Sequence, residues 1–298
     1  MNNSKINKSL PTVIVTVVIL AIIIGFSIFT NLNNNSHINN EQADGTVTVH
    51  FIDVGQGDCI LIKTSTSVVL IDAGENEYAT DVLSYLKKLN ITKLDYIIAT
   101  HPHSDHIGSM DEVIKGFEIG KIIMPKLADN IVPTTKCYRD LLEAISAKSM
   151  KITAAVAGNT IDLGEAKLEI LSPLKQYDDL NESSVACRLT HQNINFLFMG
   201  DCGKTAEKDI IDSGATLSAT VLKAGHHGSK NSSCEEFLEK VSPEASVIMC
   251  GTGNSYGHPQ AKALERLKAV NSEIFRTDLN GTIVFTSDGN SISYKTSR

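Results

Sequence analysis

Residues 101–106 read His-Pro-His-Ser-Asp-His, three imidazoles and a carboxylate in six positions of a 298-residue chain that holds nine histidines. The hexapeptide follows the apolar run Leu94-Asp95-Tyr96-Ile97-Ile98-Ala99-Thr100, so it stands where a buried strand breaks into a loop. Two histidines one residue apart can chelate one divalent ion, and the Asp-His pair behind them can reach a second. Imidazole with carboxylate suits zinc and its first-row neighbours. The bland alternative is a polar loop with solvated histidines, but such density of imidazole is a metal signature.

Outward from this loop the chain alternates strands and helices. Strands are predicted over 47–54, 59–62, 68–71, 94–100 and 121–124, and helices over 78–89, from the second half of the hexapeptide through 107–117, and over 138–147. Gly55-Gln56-Gly57-Asp58 supplies turn chemistry. The second half repeats the grammar, with strands over 168–171, 185–190, 195–199, 221–225 and 245–249, helices over 205–211, 235–241 and 262–269, and two closing strands. Two sheet-plus-helix halves predict an α/β fold, a four-layer αββα sandwich.

Four predicted strand ends carry chemistry: Asp72, the 101–106 cluster, Asp201 after Gly200, and His226-His227 after Gly225. Strand ends at one edge of a sandwich converge, so these distant positions can build one site with Asp201 bridging two ions. Ions about 3.5–4 Å apart clamp the attacking and leaving oxygens of a phosphodiester and lower the pKa of water toward about 7.

The order Asp, HxHxDH, Gly-Asp, Gly-His resembles the metallo-β-lactamase superfamily. Within it, Phe51-Ile52-Asp53-Val54-Gly55-Gln56-Gly57-Asp58, Leu70-Ile71-Asp72-Ala73-Gly74, Thr100-His101-Pro102-His103, Leu222-Lys223-Ala224-Gly225-His226-His227-Gly228-Ser229 and Tyr256-Gly257-His258-Pro259 resemble the hydrolase domain of the ComEC family of DNA-uptake competence proteins. The resemblance spans residues 46–298. It implies two divalent ions, Zn or Mn: His101 and His103 on the first, Asp105, His106 and His226 on the second, Asp201 between them. His226 is preferred to His227 because the family's ligand directly follows the strand-ending glycine. His227 is then a contact to substrate phosphate or a support behind the ligands. Asp105 doubles as a catalytic group, while Asp72 and Asp58 are expected to orient ligand histidines from behind. Lys223 and His258 are expected to bind anionic oxygen or to pass a proton to the leaving group, against the alternative of a surface lysine and a loop histidine.

Two departures from the family matter. Most of the superfamily supplies a further histidine to the first ion from the loop before the Gly-Asp strand. Here that loop reads Leu180-Asn181-Glu182-Ser183-Ser184-Val185, and His191, further on, reads as structural. The first ion should therefore be weakly held or favour Mn, although ComEC-like domains resemble this chain in the same Asn/Ser substitution. ComEC proteins also carry many membrane helices where this chain has one apolar span, so no channel or translocation role is carried over.

That span, residues 12–29, is uncharged and reaches the length that crosses a bilayer, about 17–20 residues. Lys5 and Lys8 precede it and no Lys or Arg follows before Lys63, which places the N-terminus in the cytoplasm and the bulk outside. The expected organisation is a cytoplasmic stretch at 1–11, a single-pass signal anchor at 12–30, an Asn-rich tether at 31–45 and a hydrolase domain at 46–298. A cleaved signal peptide, and hence a secreted domain, is the rival reading.

Lys5 and Lys8 balance Glu41 and Asp44, so the whole net charge of −7 falls on the domain. That argues against an extended non-specific grip on nucleic acid, without excluding a local basic groove. The six cysteines include no Cys-x-x-Cys pair; Cys59, Cys187 and Cys250 sit in apolar strand patterns and read as free thiols. The functional expectation is a membrane-anchored extracellular metal-dependent hydrolase, a nuclease or phosphodiesterase on DNA, with no protein partner. The alternatives are a phosphodiesterase on cell-wall or choline-phosphate polymers, then lactone or β-lactam hydrolysis, and, in another class, a non-catalytic binding module.

Overall fold

A computed structural model describes residues 45–298, so the anchor expected at 12–30 and nearly all of the tether lie outside the described residues. Among the described residues, no helix is long and apolar enough to cross a membrane.

Six strands open the domain: β1 (Val47–Phe51), β2 (Ile60–Lys63), β3 (Val68–Ile71), β4 (Lys93–Ile98), β5 (Glu118–Met124) and β6 (Ile152–Ala154). Seven more follow: β7 (Thr160–Asp162), β8 (Lys167–Ile170), β9 (Cys187–His191), β10 (Ile194–Phe198), β11 (Val221–Lys223), β12 (Ala245–Ile248) and β13 (Glu273–Arg276). The last pair, β14 (Ile283–Ser287) and β15 (Ile292–Thr296), returns to the first sheet through β1. One sheet runs β15-β14-β1-β2-β3-β4-β5-β6 and the other β13-β12-β11-β10-β9-β8-β7.

The period-2 alternation of each strand divides its side chains between two cores. From β1, β2 and β3, Val49, Phe51, Ile60, Ile62, Val69 and Ile71 face between the sheets, where Phe196, Phe198, Val221, Val247 and Phe285 meet them. Leu61 and Leu70 point the other way, onto the helices Ala79–Lys88, Met110–Gly116 and Lys136–Ala147. Leu197, Leu222 and Ile248 likewise turn outward onto the helices Lys204–Asp212, Glu235–Val241 and Ala261–Ala269. Three apolar layers separated by two sheets are what a helix–sheet–sheet–helix sandwich requires. Phe51 ties the middle layer together, with ring centroids 6.2 Å from Phe198 and 6.0 Å from Phe285.

The expected elements appear within a few residues, with three differences. The helix predicted to open in the second half of the hexapeptide and run to 117 does start there, but it is broken into Ser104–Ile107 and Met110–Gly116. At the break the Ser109 N–H donates to the Gly74 carbonyl at 3.1 Å instead of to the preceding helical turn, and glycine at 108 makes room for the close approach, since a Cβ there would lie 2.5 Å from the backbone nitrogen of Asn76. The short β6 and β7 had no sequence signal, and three strands rather than two close the chain. All six cysteines are free thiols.

Candidate metal centre

Parallel pairing brings the site together. β3 and β4 pair with Ile71 opposite Ile98, and β10 and β11 with Phe198 opposite Lys223, so all four strands end at one edge. Asp72, the 101–106 loop, Asp201 and His226-His227 follow those ends directly. The two sheets are stitched at this point by the Val185 N–H donating to the Thr100 carbonyl, 2.9 Å. Gly57, at φ 152°, lets a loop from the first sheet lie against the hexapeptide: a Cβ there would come within 2.3 Å of the Asp105 carbonyl, to which the Asp58 N–H donates.

Ligand atoms of Asp105, His106, Asp201 and His227 lie within 4.8 Å of one another. His106 Nε2 is 3.3 Å and His227 Nε2 3.5 Å from Asp201 Oδ1, and His227 Nε2 is 3.2 Å from Asp105 Oδ2. His106 Nε2, His227 Nε2 and Asp201 Oδ1 are buried and without a hydrogen-bond partner. Buried polar atoms are nearly always paired, and three converging orphans of mixed imidazole and carboxylate type fit a divalent cation. On the opposite side of Asp201, Oδ2 lies 3.9 Å from His101 Nε2 and 3.7 Å from His226 Nε2. His103 Nδ1 is 3.0 Å from His101 Nε2.

Each ring is held so that its free nitrogen faces inward. His106 Nδ1 donates to Asp72 Oδ2 at 2.7 Å, and Asp72 also accepts from the Thr100 N–H and hydroxyl. The Thr100 and Ser184 oxygens stand 3.1 and 3.3 Å from His101 Nδ1, and Ser184 further accepts from the Asp201 N–H. His227 Nδ1 donates to the Met249 carbonyl at 2.9 Å. Locking one imidazole nitrogen in this way fixes the tautomer whose other nitrogen ligates.

The charges are strongly coupled. Burial opposes the carboxylate of Asp201, yet the His227 and His106 imidazoles override it and hold its pKa well below the usual range. Burial likewise opposes protonation of His106 and His227, but for both the Asp201 carboxylate, reinforced by Asp105, lifts the pKa well above the ordinary value. His101 goes the other way: burial and the His106 charge push it well down.

The expected residues are mostly brought together, with His227 and Lys223 placed otherwise than expected. His227, expected behind the ligands or at substrate, has its Nε2 in the four-residue cluster, while His226 stands by the other oxygen of Asp201. Lys223, expected at an anionic substrate oxygen, is instead sealed at 0 % exposure. It shares the parity of Val221 on β11, so it points between the sheets, where its ammonium pairs with Asp58 Oδ2 at 2.8 Å and donates to the Ala224 carbonyl. That ammonium, with His227, holds the Asp58 carboxyl below its usual range against the opposing effect of burial. Asp58 Oδ1 is 3.4 Å from His227 Nδ1. Asp58, Asp72 and His106 also cluster closely enough to hold an ion, but both carboxylates are already engaged, by Lys223 and by Thr100 with His106. His191 is buried on β9, its Nδ1 2.9 Å from the Ser287 hydroxyl. Sequence reading missed Thr100, Ser184 and the Met249 carbonyl as supports; only Thr100, adjoining the hexapeptide, carried a signal.

A cleft of about 370 Å3 opens over the cluster, lined by His103, Asp105, Asp201, His226, His227 and His258 among others. Asn181, from the loop that lacks the family's histidine, also lines it, and its buried Oδ1 has no partner. His258 sits on a cis peptide bond to Pro259, its N–H donating to Asn254 Oδ1. Burial, then the His227 and His226 charges, pushes the His258 pKa down to about 4. Tyr256, 63 % exposed, stacks beside it with centroids 5.8 Å apart.

The family model described as Metallo-beta-lactamase superfamily matches residues 52–252. ComE operon protein 3 of Bacillus subtilis is 29 % identical over 80 % of this chain and 32 % of its own length. Competence protein ComA of Neisseria gonorrhoeae is 30 % identical over 82 % of this chain and 32 % of its own. The chain thus spans about a third of the length of these curated relatives. Among solved structures, the metallo-beta-lactamase fold protein YhfI of Bacillus subtilis superposes with a TM-score of 0.55 at 15 % identity, covering 81 % of this chain and 99 % of that one. With that match laid over two sheets, three cores and a His/Asp cluster able to hold divalent metal, the chain belongs to the metallo-beta-lactamase superfamily.

Proposed function

We propose that the domain is a metal-dependent phosphodiesterase with nucleic acid as its substrate class, held outside the cell by the span at 12–30. The observation that carries this reading is the convergence of Asp105, His106, Asp201 and His227 at the foot of an open cleft. Divalent ions bound there supply Lewis acidity to a phosphoryl oxygen and bring the pKa of water toward neutrality.

The chain's own residues then bind and orient. Asp105 lines the cleft and belongs to the cluster, so it faces both the ions and the substrate. His258, neutral at physiological pH because its pKa lies near 4, serves as a hydrogen-bond donor to a phosphate or leaving oxygen rather than as a source of a full proton. The exposed Tyr256 ring offers a face on which a base can stack. Lys204 and Lys230, shortly beyond Asp201 and His227, line a second cleft with Lys262, Arg266, Glu235 and Glu265, so its lining is net positive by two charges (four basic less two acidic) on an otherwise acidic domain. Similarity to proteins named for competence supports the nucleic-acid class.

The net charge of −7 favours a second reading, a phosphodiesterase on choline-phosphate or wall polymers. In that case Tyr256 would face a quaternary ammonium. Incubating the chain with Mn or Zn and either DNA or a choline-phosphate polymer separates the two. Cleavage of DNA, absent in Asp105→Asn, supports the first; turnover of the wall polymer alone supports the second.

A further inference from the structure

We propose that the basic cleft lined by Lys204, Lys230 and Lys262 is a second substrate site. It holds backbone phosphates of a nucleic-acid strand whose scissile bond lies at the metal centre. The inference rests on the nucleic-acid reading of that centre and deepens it.

Two loops join the cleft to the centre. β10, β11 and β12 are parallel, so the helices Lys204–Asp212, Glu235–Val241 and Ala261–Ala269, each reached from one of these strand ends, begin at the same edge. Asp201 lies on the loop into the first helix and His227 on the loop into the second. These loops run side by side. The His226 N–H donates to the Gly200 carbonyl at 3.0 Å, and further along the Lys204 N–H donates to the Asn231 carbonyl at 3.0 Å. Glycine at 225 permits the approach, since a Cβ there would lie 2.8 Å from the Cys202 carbonyl. Lys204 is three residues beyond Asp201 and Lys230 three beyond His227, a span of at most about 11 Å along each chain. The third helix holds the second loop in place. Arg266 Nη2 donates to the Lys230 and Ser232 carbonyls at 2.9 and 2.8 Å, and Gln260 Oε1 accepts from the Lys230 N–H at 2.8 Å.

Helix stability does not account for these lysines. Lys204 is the first residue of its helix and Lys262 the second of its own, at the end where the helix dipole favours carboxylate over ammonium. Lys115, Lys136 and Lys208 each pair with an aspartate one helical turn away. Among the described residues, no ion pair engages the Lys204, Lys230 or Lys262 ammonium. Glu235 and Glu265 share the cleft, which remains net positive with Arg266 counted. Glu182 already accepts from the Gly203 and Ala206 N–H groups, at 3.2 and 2.8 Å. An incoming phosphate therefore meets ammonium groups rather than the amides at the start of Lys204–Asp212. The cleft is about 510 Å3. On a domain of net charge −7, a local positive site focuses a polyanion that the remaining surface repels. A long strand can engage both sites at once, whereas a small phosphodiester occupies only the metal centre.

The test compares wild type with the triple variant Lys204→Gln, Lys230→Gln, Lys262→Gln, as full-length chains in detergent. All three side chains are exposed, and a matching melting temperature confirms that the variant folds. Fluorescence anisotropy follows binding of a labelled single strand of about 20 nucleotides to the metal-free chain. The variant should bind it at least tenfold more weakly, with the slope of log affinity against log salt reduced by about 2, since each phosphate contact contributes about 0.7. With Mn present, KM for the strand should rise by a similar factor at unchanged kcat, while turnover of bis-p-nitrophenyl phosphate stays as in wild type. A control, Lys87→Gln, Lys151→Gln, Lys240→Gln, removes the same charge elsewhere and should bind the strand as wild type does. If the first variant leaves strand binding and KM unchanged, if the control weakens them equally, or if the small ester loses turnover in parallel, the second site is overturned while the nuclease reading stands. A wild-type chain that hydrolyses the small ester but cleaves no strand overturns both.

Discussion

His106 Nε2 and Asp201 Oδ1 stand 3.3 Å apart in the buried wall of the site, yet neither makes a hydrogen bond. Their separation is that of two ligands on one tetrahedral ion, about 3.4 Å. Left empty-handed, each buried group would cost about 1–3 kcal/mol. His227 and Asp105 join them, so four groups from the ends of three strands, β4, β10 and β11, converge on one point.

Metal uptake should release protons. The Asp201 and Asp105 carboxylates push the pKa values of His106 and His227 well above the ordinary value against the opposing effect of burial, which favours their protonated forms in the metal-free domain. Ligation requires neutral imidazole, so binding expels protons and affinity falls as pH falls. Calorimetric titration in buffers of different ionisation enthalpy counts them; uptake with no proton release would contradict the cluster.

Asp72→Asn should lower affinity for the ion on the His106 side by about 10–100-fold, the usual effect of losing a carboxylate behind a ligating histidine. The Asp72–His106 contact is 2.7 Å and fully buried. Competition with a chromophoric zinc chelator measures the change, and an unchanged constant would show that Asp72 is merely structural.

Lys223→Met should destabilise the domain by about 3–5 kcal/mol, because Asp58 is left as an uncompensated buried charge. Both partners are at most 1 % exposed. The double variant with Asp58→Asn should recover much of the loss in urea unfolding. A single variant as stable as wild type would return Lys223 to the surface role that its sequence context allowed.

Glu207 imposes a pH dependence remote from the cleft. It is buried in the helix Lys204–Asp212 and accepts from the Ser233 and Cys234 N–H groups; burial raises its pKa from 4.5 to about 7. Below pH 4.5 both folded and unfolded states are protonated and its contribution is fully present. As pH rises from there through about 7, the unfolded state ionises first and stability falls, on the order of 3 kcal/mol. The difference between wild type and Glu207→Gln in denaturant unfolding should therefore change across that window; a constant difference would contradict it.

How far the sequence carried this account can be judged residue by residue. The hexapeptide, Asp72, Asp201 and the His226-His227 pair were legible because each follows an apolar run, and parallel strands must end at one edge. That His227 rather than His226 lies in the four-residue cluster was not, since the placement depends on two left-handed residues that periodicity does not reveal. Lys223 misled because its parity on β11 turns it inward, toward an Asp58 that lies far away in sequence. β6 and β7 escaped notice because each is three residues long and mostly exposed, so no apolar alternation marks them.

The most direct test is hydrolysis of a simple phosphodiester, bis-p-nitrophenyl phosphate, by the full-length chain at pH 7.5 before and after chelation. The account predicts turnover that chelation abolishes, that Mn or Zn restores, and that Asp105→Asn lacks throughout. Turnover that survives removal of the metal, or none in a fully metal-loaded chain, would contradict it.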